Sequence, residues 1–183
     1  MPDVKNPPLL VAQETQSWCF AAAEVMVRNC FGLPNLSQYV IARRITENLA
    51  ALDPEVQEKW ELALMMDQSL DLQEDGGTNS SSHLVQLVRS QWNAFDHTST
   101  SGYFVPDLTA ELVRKEIDNN RVFVIGNAIH YYVVYGYSEN GNVLHLRDPW
   151  PAGRGGSTTQ MRLKELVSLK GSVTIFFHGT DTK

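Results

Sequence analysis

The stretch "QETQSWCFAAAEVM" (13–26) decides how the rest of the chain is read. A Trp-Cys pair heads an Ala-rich segment that reads as a helix, and a glutamine stands six residues before the cysteine. Free cysteine is commonly a small core hydrophobe. At a helix N-terminus it can instead be a nucleophile, because the helix dipole stabilises its anion. The second reading makes demands elsewhere: a base for the proton, a group to orient that base, and donors for a developing oxyanion.

Working outward, the first helix is expected from Ser17, an acceptable N-cap, to about Asn29, before Gly32 and Pro34 stop it. A second follows Ser37 and carries Tyr39, Val40, Ile41, Ile45 and Leu49 at helical spacing. Asp53-Pro54 opens a third, "QEDGGTNSSS" (73–82) is a surface loop, and 83–92 is a short helix. Thr109 caps the amphipathic "AELVRKEIDNN". The periodicity then changes to that of strands: 122–125, "HYYVVYGY" (130–137), "VLHLR" (143–147) and "SVTIFFHG" (172–179), with the hairpin signal "ENG" (139–141) between the middle two. Helices followed by an antiparallel sheet give an α+β class, a single domain over 1–183 with 1–120 mainly helical and 121–183 mainly sheet. A cleft between the two layers is the natural place for chemistry.

The base must come from the sheet layer. His130 opens a strand after the small residues "GNAI", and Asp148 ends the partner strand in "RDPWP". Hairpin register decides whether they meet. A two-residue turn at Asn140-Gly141 puts Asp148 opposite Val133, on the face away from His130. A three-residue loop with Gly141 in the left-handed region shifts the pairing by one, so that Asp148 faces Tyr132 and lies diagonal to His130. The three-residue loop is therefore expected. Gln13, on a loop doubling back before the helix, would be one oxyanion donor, and the backbone N–H of Cys19 the other.

Composition narrows the classes. The chain has 183 residues, 43% apolar and 20% charged, enough for a core without disulfides. Net charge is −6 with scattered basic residues, which argues against a nucleic-acid or membrane surface. No apolar run suits a bilayer span, and "MPDVKNPPLLVAQ" lacks the h-region of a Sec-type signal. A cytoplasmic protein, or one exported without a cleavable signal, is expected. Cys19 and Cys30 on one helix stand about 16 Å apart and cannot bridge. A Cys/His/Asp metal site lacks a fourth ligand, so no metal or other cofactor is expected.

Gln-x5-Cys with Trp before the Cys and small residues after it, then His, then an acidic residue followed two positions later by Trp, resembles the papain-like cysteine peptidases. "QETQSWCFAA" is similar to that superfamily's Gln-to-Cys segment, and "DPW" to its Asn-x-Trp element, with Asp148 in place of Asn. Compact bacterial branches share the Asp: bacteriocin leader-peptide peptidases and papain-like effector proteases. The resemblance implies a papain-like fold, Cys19 as nucleophile, His130 as general base and acid, Asp148 as orienting residue, Gln13 in the oxyanion hole, and Trp150 shielding the His–Asp bond. Trp18, Gln16 and Trp150 are candidates for substrate contact. The implied activity is hydrolysis of peptide bonds through a thioester by a monomer acting on a protein or peptide.

The same machinery would serve an acyltransferase, a glutamine deamidase or a cell-wall peptide amidase, and an inactive module would keep the fold for binding. Cys30 is expected in the core. His83, His97, His145 and His178 are read as surface or packing residues, with His145 facing solvent between Leu144 and Leu146. "RGGSTT" (154–159) is read as a loop bordering the cleft. Segments 73–82, 93–107 and 151–160 would wall the subsites, and Phe95, Tyr103 and Phe104 are either groove or core.

Overall fold

The computed structural model describes residues 2–15, 18–48, 95, 100–127, 130–169 and 172–177. The expected helices after Asp53 and over 83–92, the loop 73–82, and Gln16, Ser17, His83, His97 and His178 lie outside these residues. Helix α1 spans Cys19–Phe31 and α2 Gln38–Asn48. Strand β1 (Gly102–Phe104), helix α3 (Ala110–Asp118), β2 (Phe123–Gly126), β3 (Tyr131–Ser138), β4 (Val143–Asp148), β5 (Ser157–Arg162), helix α4 (Leu163–Ser168) and β6 (Val173–Phe177) follow. The strands form one antiparallel sheet in the order β1-β6-β2-β3-β4-β5. This is the α+β arrangement expected from the order of elements.

Helix α1 is buried over most of its length: Phe20, Ala21, Ala22, Ala23, Met26 and Val27 are wholly inaccessible. Its alanines let the backbone come close to β3, against which it packs. The helix begins at Cys19, with Trp18 rather than Ser17 in the N-cap position and no side chain capping it. It ends two residues later than expected, with Gly32 in the left-handed conformation. Within the core, Glu24 is inaccessible and is satisfied by Arg28 at 2.8 Å and Arg44 at 2.7 Å, which ties α2 to α1. A buried carboxylate persists only with such partners. Ser37 Oγ caps α2 by accepting from Val40 N, and Thr109 Oγ1 caps α3 by accepting from Leu112 N.

The β3–β4 hairpin corrects the expected loop. Ser138 faces Val143, Tyr137 faces Leu144 and Gly136 faces His145, the register of a two-residue turn at Asn140-Gly141. Asn142 N donates to Glu139 O across it. Glu139, Asn140 and Gly141 all have positive φ, so Gly141 is left-handed as expected. Between Val134 and Gly136 the register slips, and beyond it Val134 faces Leu146 and Val133 faces Arg147. The single-residue shift expected from the loop is supplied by a bulge at Tyr135. Continued by one residue, the pairing sets Asp148 beside Tyr132, on the face of His130.

Residues 2–13 form a strap over this hairpin. Val4 N donates to Tyr135 O and Tyr137 N to Pro2 O, with an antiparallel bridge between Asp3 and Gly136. His145 Nδ1 donates to Asp3 Oδ1 at 2.7 Å, and Arg147 Nε to Pro8 O. His145 is thus buried, not solvent-facing, because the strap covers its face of β4. A Cβ at Gly136 would collide with Asp3 Oδ1 and come within 2.9 Å of His145 Nδ1, so this crossing needs glycine.

Two strands were not expected. Residues 157–159 of "RGGSTT" belong to β5, a polar edge strand paired with β4, rather than to a loop. Strand β1 comes from the mainly helical part yet pairs with β6 at the other edge. Phe95 is core, packed on Tyr131 and Phe177, while Tyr103 and Phe104 on β1 are partly exposed. Cys30 sits at the rim of the core, half-buried, with Sγ 3.8 Å from Asn6 O.

Candidate active site

Cys19 is the first residue of α1, and the first helical bond runs from Ala22 N to Trp18 O. Its thiol therefore sits at the positive end of the helix dipole, where an anion is favoured. The side chain is buried, with 2% of the residue accessible.

From the sheet comes His130, one residue before β3. Asn127 fixes its backbone twice: Asn127 Oδ1 accepts from His130 N at 3.0 Å, and Asn127 N donates to His130 O at 2.9 Å. The ring's Nε2 donates to Asp148 Oδ1 at 2.6 Å, with both side chains 17% exposed. Oδ1 also accepts from Trp150 N at 2.9 Å, so the carboxylate is oriented by its own turn. With Nε2 engaged by Asp148, Nδ1 is the ring nitrogen left for the Cys19 thiol, which is close enough to act on the pKa of the ring. Burial works against a charged imidazole. The bond to Asp148, the interaction with Cys19 and the negative charge of each outweigh it and raise His130 from 6.5 to about 9. The hydroxyl of Tyr131 is pushed up by burial and then by the charge of Cys19, and that of Tyr132 by burial, Asp148 and Cys19. Tyr132 stands edge-on to the His130 ring at 4.6 Å.

Gln13 ends the strap and is 1% exposed. Its backbone is held by Pro149 O, which accepts from Gln13 N at 3.0 Å, and by Gly153 N, which donates to Gln13 O at 2.9 Å. These bonds bring it beside the turn that follows Asp148. Its side-chain amide carries two N–H donors, and Thr15 O engages Nε2 at 2.8 Å.

Trp18 is buried, with its ring 6.2 Å from that of half-exposed Tyr39 on α2, so it backs the site more than it faces solvent. Trp150 is 47% exposed. Two buried amides escaped the reading of the sequence. Asn127 lies in "GNAI", where an Asx-type turn before a strand is a weak signal. Gln38, the first residue of α2, bonds to the backbone on both sides of Gln13 through a tertiary contact with no local signal. Among the described residues no group of three or more His, Cys, Asp and Glu could hold a metal ion, and no helix is long and apolar enough to cross a membrane.

A thiol at a helix head, near an imidazole that a carboxylate orients, is an arrangement suited to covalent acyl transfer. No curated protein matches the chain. The model of the Peptidase_C39 like family matches residues 8–168, a span that includes Gln13, Cys19, His130 and Asp148. The chain belongs to the Peptidase_C39-like family, and its function is of the cysteine-peptidase type.

Proposed function

We propose that Cys19 is the nucleophile of a peptide-bond hydrolase, with His130 as its acid and base, Asp148 orienting the ring, and Gln13 with the Cys19 N–H as oxyanion donors. The observation that carries this reading is the His130 imidazole, bonded to Asp148 at 2.6 Å, with the Cys19 thiol at the head of α1 close enough to act on its pKa. With His130 raised to about 9, the pair is an imidazolium beside a sulfur at neutral pH. The thiolate attacks the substrate carbonyl, and the tetrahedral oxyanion forms against the two N–H donors. Imidazolium gives its proton to the leaving amine, and a thioester remains. Water then attacks the thioester carbon, His130 takes up its proton, and the acid and free thiolate are released. Trp150 and Gln16 are proposed to border the bound peptide, with Trp18 backing the site from within.

The test is incubation of the chain and its Cys19→Ala variant with a proteome-derived peptide library, read by mass spectrometry. New peptide termini that depend on Cys19 are expected. A one-dalton gain at glutamine, or an amine adduct without cleavage, would replace hydrolysis by deamidation or transamidation. Cleavage unchanged in Cys19→Ala would end the proposal.

A further inference from the structure

The reaction sketched above makes no use of Gln38, yet this side chain is bonded in both directions. Nε2 donates to Ala12 O at 2.8 Å, and Oε1 accepts from Glu14 N at 2.9 Å. These backbone groups flank Gln13. At 3% exposure the amide pairs with the strap as a strand residue would, with one donor and one acceptor. Gln13 itself is held from the 149–153 segment, through Pro149 O and Gly153 N. The loop that carries the oxyanion donor is thus clamped between α2 and the turn after Asp148.

Helix α2 is in turn fixed to the helix that carries the thiol. Arg44 reaches Glu24 at 2.7 Å, Tyr39 meets Trp18, and Ile41 and Ala42 are inaccessible in the shared core. Gln38 therefore connects the Cys19 helix to the Gln13 loop by a route that bypasses residues 14–18. An oxyanion donor works only within about 2.7–3.1 Å of the developing charge, and displacing such a group by about 1 Å costs about 100-fold in rate.

We propose that Gln38 is a positioning residue that sets where the Gln13 amide stands relative to Cys19. This rests on the roles given above to Cys19 and Gln13. Replacing Gln38 by an apolar side chain leaves Ala12 O and Glu14 N without these partners, and the loop moves to satisfy them. The substrate feels the change in the tetrahedral state, not on binding.

The experiment uses the full chain with Gln38→Met, which keeps length without either bond, and Gln38→Glu, which keeps the acceptor for Glu14 N–H. Steady-state hydrolysis of p-nitrophenyl acetate gives kcat and KM, and iodoacetamide gives the reactivity of Cys19 in a reaction that develops no oxyanion. Gln38→Met is expected to lower kcat by about 10- to 100-fold, with KM and alkylation within about twofold of wild type and a smaller loss in Gln38→Glu. In a Gln13→Ala background the Gln38 change is expected to add nothing, because the group it positions is gone. Wild-type kcat in Gln38→Met overturns the inference. So does an equal loss in the Gln13→Ala background, or a parallel fall in alkylation, either of which would mark general damage. Should Gln38→Met fail to fold, Gln38→Glu is judged by the same criteria. Absence of ester turnover by the wild type, or turnover undiminished in Cys19→Ala, overturns the Cys19 reading and this inference with it.

Discussion

His130 Nε2 lies 2.6 Å from Asp148 Oδ1 across a hairpin whose turn alone would have set the two side chains on opposite faces. Asp148 supplies the leading favourable contribution to the raised pKa of His130 and orients its ring. Asp148→Ala is expected to lower kcat by about 10²- to 10⁴-fold and to bring His130 from about 9 back toward 6.5. Asp148→Asn, which can still accept from Nε2, should lose less. Titration of the His130 ring protons by NMR, beside kinetics of both variants, checks each part.

A second expectation concerns pH. In the proposed reaction protonated His130 is the acid for the leaving amine, so turnover should fall as pH rises through about 9, while alkylation of Cys19 by iodoacetamide continues. The same shift is linked to folding. A pKa raised from 6.5 to about 9 gives stability that is full below about pH 6.5 and lost as pH rises through about 9. Urea unfolding of wild type and His130→Ala across this window should show the pH dependence shrinking in the variant.

The strap crossing is a place where one methyl group matters. At Gly136 a side chain would meet Asp3 and His145. Gly136→Ala should therefore break the Asp3–His145 bond and cost about 1–3 kcal/mol, measured by urea denaturation. Asp3→Ala in the same background should add little, since its partner is already displaced.

Inside the helical layer, Glu24→Ala would strip Arg28 and Arg44 of their shared carboxylate. Breaking a buried pair from one side costs about 3–5 kcal/mol, since a charge is left uncompensated. Replacing Glu24 and Arg28 together by apolar residues of similar volume should recover part of that loss. Chemical denaturation of the single and double variants decides it.

The candidate site was legible where chemistry and local pattern coincide. Gln13, Cys19, His130 and Asp148 stand out because each has a residue type, a neighbourhood and a chain order that the proposed chemistry requires. The caps at Ser37 and Thr109, and the stop at Gly32, are equally local. What stayed hidden depends on distant chain. The polar β5 alternates half-buried and exposed residues at a sheet edge, a pattern that a Ser- and Thr-rich loop also shows. His145 alternates as a solvent-facing residue should, and only the arrival of Asp3 buries it. Gln38 looks like any polar residue opening a helix until the strap is laid beside it.

The slip at Tyr135 carries an arithmetic of its own. Between Gly136 and Val134 the chain of β3 advances two residues while β4 advances one, from His145 to Leu146. Strand β3 thus contains one residue more than the ladder consumes. Excising Tyr135 would leave every β3–β4 ladder pair in place, with Val134 still opposite Leu146 and the imidazole still on the carboxylate's side. Excising His145 from β4 instead would double the mismatch. The two halves of the hairpin should therefore tolerate shortening very unequally: the single-codon deletion in β3 keeps a reactive Cys19–His130 pair, and the matching deletion in β4 destroys it.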